Sequence, residues 1–314
     1  MGMWIPMLYL GLMTSMILGL MSNNWFSLMV CLELNLAMIL PILFKYASMI
    51  QGETVITYLI IQSIGSLFLL LMILGNNNFI LWSNLCEPMF ITALFIKLGA
   101  FPFHGWFIGL MSFSEPLNFF MLATTQKLLP LIFLFYAISS FLVLMVIIVS
   151  IVVPSINLSV NKIKIMLAYS SIFQLSMIMI AMIESMNMFC IYYLAYLITM
   201  IFIVYNVVNS MSINFSSILK NNTSASIIVS MTMLMGLPPF MMFIPKLMVL
   251  INMKSMIILL LILFITLIIN LYIYLRIISQ MSLFSGSSTG IIPNQVSMIP
   301  LIMLINLFPW LMLV

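Results

Sequence analysis

Apolar residues run through this chain in blocks of roughly 20, the length a helix needs to cross a bilayer, separated by short polar connections. The blocks predict about eleven spans, near residues 3–21, 25–44, 55–74, 88–110, 116–137, 140–154, 165–183, 187–209, 225–251, 256–279 and 296–314. Ser22-Asn23-Asn24, Gly75 to Asn78, Ser155 to Asn161, Asn221 to Ser224, and Ser282 to Gly290 punctuate them. The boundary between the fifth and sixth spans rests on Ile138-Ser139-Ser140, since residues 116–153 hold no charged break after Lys127. No segment has the polarity of a soluble domain, so residues 1–314 read as a single all-α membrane domain.

Composition agrees. Of 314 residues, 65% are hydrophobic and 4% charged, whereas soluble domains carry about 25% charged residues. Aspartate is absent, and the net charge of +4 is too thinly spread for nucleic-acid binding. Cys31, Cys86 and Cys190 lie far apart, which predicts neither a disulfide framework nor a zinc or iron–sulfur site. The N-terminal residues show neither a secretory signal nor an Arg- and Ser-rich transit peptide. The 34 methionines fit an AT-rich organellar genome, whose product needs no import signal.

Basic residues are distributed unevenly. With eleven spans, Lys45, Lys162, Lys164, Lys220 and Arg276 fall on one side and only Lys254 on the other. The positive-inside rule then puts the N-terminus on the matrix or cytoplasmic side.

Four charges nevertheless lie within spans: Glu33, Lys97, Lys127 and Lys246. A charge at the bilayer centre costs at least about 2.5–3.5 kcal/mol on insertion scales, and such groups usually mark ion or proton paths. Lys97 lies roughly 13 Å into its span at 1.5 Å per residue, farther than a lysine stem comfortably snorkels. Lys127 precedes Pro130, where a kink would admit water, and Asn35 next to Glu33 offers an amide to a water. Lys246 is nearer a span end, so snorkelling competes there. Lysine suits proton relay because burial can lower its pKa to about 5–6 while a carboxylate restores the charged form. A Glu–Lys pair that opens and closes is a proton valve.

Gly99-Ala100-Phe101-Pro102-Phe103 in the fourth span is echoed by Gly236-Leu237-Pro238-Pro239-Phe240 in the ninth. Five spans separate them, an odd number, which makes the repeats inverted: residues 1–138, then 139–280, with a C-terminal helix at 296–314. Paired Gly/Pro interruptions point to a transport path, since irregular backbone at membrane depth is tolerated only where it faces protein or a cavity. Two ordinary proline kinks are the plainer reading, but the lysines sit beside both breaks.

His104 reads either as a loop-capping group or as an extension of the relay; alone it cannot supply both ligands of a bis-His haem. Glu53, Glu87, Glu115 and Glu184 fall at span ends and read as interfacial. Lys162 and Lys164 mark a membrane edge or a proton entry. Asn221-Asn222-Thr223 matches a glycosylation sequon by chance if the chain never enters the secretory path.

Taken together, several segments resemble the NADH-ubiquinone oxidoreductase chain 2 family. They are Glu33-Leu34-Asn35-Leu36, Lys97 through His104, Thr125-Gln126-Lys127, Leu167 through Ile172, Gly236 through Phe240 with Pro245-Lys246, and Asn270 through Arg276. Their order and spacing also match. The resemblance implies an antiporter-like fold of two inverted five-helix units with discontinuous helices. It implies a proton-translocating membrane-arm subunit of respiratory complex I in the mitochondrial inner membrane, shortened as in animals. Other membrane-arm subunits and membrane lipids would be its partners in a hetero-oligomer. NADH, FMN, iron–sulfur clusters and ubiquinone would act elsewhere in that complex, with no cofactor or metal on this chain.

Carried over residue by residue, the resemblance makes Glu33 and Lys97 the gating pair and Lys127 the central relay. Lys246 would pass the proton on, with His104 a further relay candidate. Leu247 and Gly105 stand where aromatics are common in the family, which changes packing but leaves the charges. Two rivals come from other classes. A stand-alone cation/proton antiporter would work without NADH and would be expected to carry an acidic ion-binding pair; a membrane scaffold leaves buried lysines in broken helices unexplained.

Overall fold

The computed structural model describes residues 4–75, 83–160, 162–209, 224–238, 240–253 and 257–285. Every regular element among them is a helix, as expected where lipid leaves backbone polar groups no partner outside their own segment. The chain divides into two compact units, Met1–Val149 and Ser150–Val314. Among the described residues, eight stretches are long and apolar enough to cross a bilayer.

In the first unit, α1 (Trp4–Met21) packs on α2 (Trp25–Tyr46), and α2 on α3 (Met49–Gly75). α3 in turn packs on α4 (Ser83–Leu98) and α5 (Gly105–Phe113), the two halves of one interrupted span. α6 (Pro116–Ala123) and α7 (Thr125–Phe135) follow as a second interrupted span, and α7 packs on α4. Large apolar side chains such as Leu18, Ile60 and Leu67 stay exposed on the outer faces, which suits a surface solvated by lipid.

α8 (Ser140–Asn157) runs through the division between the units. In the second unit α9 (Ile163–Glu184) packs on α10 (Met186–Asn209), and α10 on α11 (Ser224–Met235) and α12 (Phe243–Asn252). α13 (Ile257–Ser285) packs on α11. α9 is enclosed: every residue from Met166 to Met182 is buried. Its serines turn inward on their own helix, Ser170 Oγ donating to Leu167 O at 2.8 Å and Ser176 Oγ to Phe173 O at 2.7 Å.

Three details differ from the sequence expectation. α3 opens at Met49 rather than near residue 55, because Ser48 and Gln51 form half of a capping box: the Ser48 N–H donates to Gln51 Oε1 at 2.9 Å. The fifth span is interrupted at Thr124, while Pro130 lies inside α7. At Thr124 the hydroxyl bonds back to Phe120 O at 2.6 Å while φ is −119° and ψ −77°, and such back-bonding bends helices. The fourth span also starts earlier, at Ser83, with Pro88 inside the helix. The eleventh span, 296–314, lies outside the described residues, as do Lys220, Lys254 and the Asn221-Asn222-Thr223 sequon.

Candidate functional site

The interruption of the fourth span is a Schellman turn. Ala100 N–H bonds to Phe95 O at 3.1 Å and Gly99 N–H to Ile96 O at 3.3 Å, with Gly99 at φ 62°. A Cβ there would meet Trp106 Cζ2 at 2.8 Å and Phe107 Cβ at 2.9 Å, so glycine is needed both for conformation and for space. The last carbonyls of α4, which no helical N–H reaches, are taken by side chains. Trp106 Nε1 donates to Ile96 O at 3.2 Å, and Gln62 Nε2 to Lys97 O at 3.1 Å.

Lys97 thus sits on the last turn of a half-helix whose end is fixed on three sides. Its Nζ donates to Glu33 Oε1 on α2 at 2.9 Å. The pair is lopsided: the Lys97 side chain is 2% exposed and that of Glu33 40%. Gly65 on α3 lets that helix approach closely, since a Cβ there would lie 3.2 Å from Lys97 Cγ. The carboxylate is the accessible partner and the ammonium the enclosed one.

Beside the pair is a small cavity, about 20 Å³ to the centre of a water-sized sphere, lined by Asn35, Tyr58, Gln62, Lys97, Gln126 and Pro130 among others. One water needs about 10–15 Å³ by this measure and two to four polar partners. The lining supplies them. Gln126 Nε2 donates to Asn35 Oδ1 at 3.1 Å across one wall. Proline at position 130 has no N–H, which leaves the Gln126 carbonyl without its helical donor.

The next residue after Gln126, Lys127, is buried and lies in the first turn of α7, the half-helix that follows Thr124. Its Nζ lies 4.3 Å from the centroid of the Phe107 ring, a cation–π distance. The first unit therefore brings together Glu33 and Lys97 by direct contact, with Lys97 and Gln126 lining one cavity. His104 stands apart as the residue preceding α5. Its Nδ1 is 3.1 Å from Pro102 O, and its ring lies 5.4 Å from that of Phe101.

The second unit solves the same problem differently. Gly236 has φ 72° and ends α11. Lys246, on the half-helix after the break, reaches back to the exposed end of the half-helix before it. Its Nζ donates to Leu234 O at 2.8 Å and Met235 O at 2.9 Å. An ammonium at a helix C-terminus is favoured by the orphan carbonyls and the helix dipole. A Cβ on Gly236 would sit 3.0 Å from Lys246 Cδ. Lys97 precedes its glycine and pairs with a carboxylate, whereas Lys246 follows its glycine and caps a helix. Snorkelling is thereby excluded for Lys246, which is 5% exposed and directs two of its three donors to carbonyls inside the protein.

Comparison with known proteins decides the family. Residues 22–271 match the profile described as "NADH:quinone oxidoreductase/Mrp antiporter, TM". NADH-ubiquinone oxidoreductase chain 2 of Locusta migratoria is 33% identical over 281 residues, covering 85% of this chain and 82% of that one. The chain 2 protein of Didelphis virginiana is 33% identical over 294 residues, covering 86% and 84%. The chain belongs to the NADH-ubiquinone oxidoreductase chain 2 family. Solved structures share the fold. A chain of respiratory complex I from Thermus thermophilus superposes with a TM-score of 0.73 at 21% identity, over 88% of this chain and 70% of that one. A chain of the Mrp complex from Dietzia gives 0.76 at 16% identity, over 86% and 59%. In the sequence the four charged residues are legible from their cost alone. The amides Gln62 and Gln174 carry the same kind of signal, as polar groups in mid-span, and Gln126 stands in the Thr125-Gln126-Lys127 segment.

Proposed function

We propose that this chain is a proton-translocating membrane-arm subunit of respiratory complex I. It would lie in the mitochondrial inner membrane with its N-terminus on the matrix side. The observation that carries the reading is the Glu33–Lys97 ion pair at the end of a broken helix, with a polar cavity beside it. Family membership supports the setting.

Closed, the pair holds the Lys97 proton. When Glu33, the exposed partner, turns away or takes up a proton, the ammonium is left in a site with little water and gives its proton to the cavity. Water held between Asn35, Gln62 and Gln126 hands it to Lys127. Lys246 serves the second unit's part of the path. The five-helix units are inverted repeats, a reading supported by a positive-φ glycine interrupting one span in each. The driving force is NADH oxidation and ubiquinone reduction in other subunits, and no redox cofactor is held on this chain. Its partners are the neighbouring membrane-arm subunits and lipid.

Native electrophoresis of the source membranes in mild detergent tests the setting, with an NADH dehydrogenase stain and mass spectrometry of the stained band. Peptides of this chain in a very large, active assembly are the expected result. Migration alone or as a small inactive oligomer overturns the complex I reading in favour of a self-contained cation/proton antiporter.

A further inference from the structure

The second unit holds a buried polar assembly that its lysine does not account for. α9 contributes Ser170 and Gln174, α10 contributes Tyr192 and Tyr196, and α13 contributes Asn270 and Tyr274; all six are at most 3% exposed. In each helix the two residues are four apart and so share a face.

Tyr192 donates its hydroxyl proton to Gln174 Oε1 at 2.6 Å, and Gln174 Nε2 donates to Leu234 O at 3.4 Å. A carbonyl can only accept, so this contact fixes which end of the amide is which. The same Leu234 oxygen accepts from Lys246 Nζ. The lysine and the amide therefore converge on one atom, and the network begins at the relay lysine.

It ends on α13. Tyr274 stands one turn beyond Asn270 on the same face of α13. Its hydroxyl faces Ser170 and Gln174. Neither that hydroxyl nor Asn270 Oδ1 closes a hydrogen bond with a described residue. Phenylalanine and leucine would fill the same volumes without this cost, since buried polar atoms are destabilising unless they are bonded. Each of these enclosed atoms fits a hydrogen-bonded water, since the amide oxygen accepts and the hydroxyl both accepts and donates.

We propose that Tyr274 is a proton-handling residue of this unit, positioned by Gln174 and Asn270 to receive the proton that leaves Lys246. The proposal rests on the relay reading of Lys246. The ammonium of Lys246 gives one proton to a water. That water gives one to the Tyr274 oxygen, while Tyr274 releases its own hydroxyl proton to a second water bonded to Asn270 Oδ1. One positive charge advances, no electron moves, and rotation of the hydroxyl resets the station.

The test uses the intact assembly in proteoliposomes, comparing Tyr274→Phe, Asn270→Leu and Lys246→Met by protons moved per NADH oxidised. The solvent isotope effect on turnover is read alongside, since a packing defect would not change it. Tyr274→Phe is expected to bring the proton yield down to that of Lys246→Met and to alter the isotope effect. Full pumping by Tyr274→Phe, with pumping lost in Lys246→Met, removes the station and leaves the relay standing. Normal pumping in Lys246→Met takes down the relay reading itself. If Tyr274→Phe fails to assemble, Asn270→Leu decides: a lowered yield supports the station, and an unchanged yield overturns it.

Discussion

Replacing Glu33 with glutamine keeps the shape of the side chain and removes only its charge. Across 2.9 Å the attraction is about 6 kcal/mol at an effective dielectric of about 20 and between about 1 and 2 kcal/mol at that of water. Glu33 is 40% exposed while Lys97 is enclosed, so the effective value lies between these limits. Desolvation of the ammonium offsets part of it. A loss of about 2–3 kcal/mol follows, near the upper range for a hydrogen bond between charged groups. At about 1.4 kcal/mol per tenfold, that weakens the closed state by about 30- to 150-fold. Under the proposed gating, a closed state so weakened should no longer hold the Lys97 proton against back-flow. In proteoliposomes containing the intact assembly, Glu33→Gln should therefore lower the protons moved per NADH oxidised, with the assembly still of full size on native gels. Glu33→Asp, which keeps the charge on a shorter stem, should fall between the two. A Glu33→Gln assembly that pumps with the normal yield would refute the gating argument, because no other carboxylate on the described residues is bonded to Lys97.

Other predictions follow from single contacts. Gly99→Ala forces a side chain into φ 62° and against Trp106. It should destabilise the unit by about 2–3 kcal/mol, combining the left-handed penalty with overpacking, and thermal denaturation of the purified assembly would register this. Gln126→Leu removes the bond to Asn35 and dries the cavity wall; proton yield should drop while stability changes by only about 1 kcal/mol, as separate pumping and melting assays would show. Arg276 holds the end of α8 by donating to Leu158 O at 2.7 Å and Val160 O at 2.8 Å. Arg276→Ala should raise amide hydrogen exchange across Asn157 to Val160 and leave the protection of α9 unchanged.

Much of the fold was legible in the chain because lipid imposes one rule on every span. Hydrophobic length gave the helices, and glycine beside proline marked two of the three interrupted ones among the described residues. The four charged residues were legible for the same reason, as side chains whose cost in a bilayer demands an explanation. Their partners were less so. That Lys97 would bond Glu33 was available from the pairing rule for buried charges, and the contact is present. That Lys246 would cap α11 was not, because it depends on how the two half-helices turn about Gly236. The interruption at Thr124 was hidden by Pro130, the stronger local signal, which a helix tolerates when the freed carbonyl faces other polar groups. The network of Gln174, Tyr192 and Tyr274 is assembled from three helices, and no spacing within one of them reveals it.

The central claim is that buried lysines on broken helices carry the proton, and Lys127 tests it most directly. Methionine at that position retains the length of the side chain and can keep contact with Phe107 through its sulfur, so packing is spared while the titrating group is lost. The measurement is protons translocated per NADH oxidised by the reconstituted assembly carrying Lys127→Met. The account predicts full-sized assembly with proton translocation through this unit abolished or sharply reduced. An unchanged proton yield in that variant would contradict it.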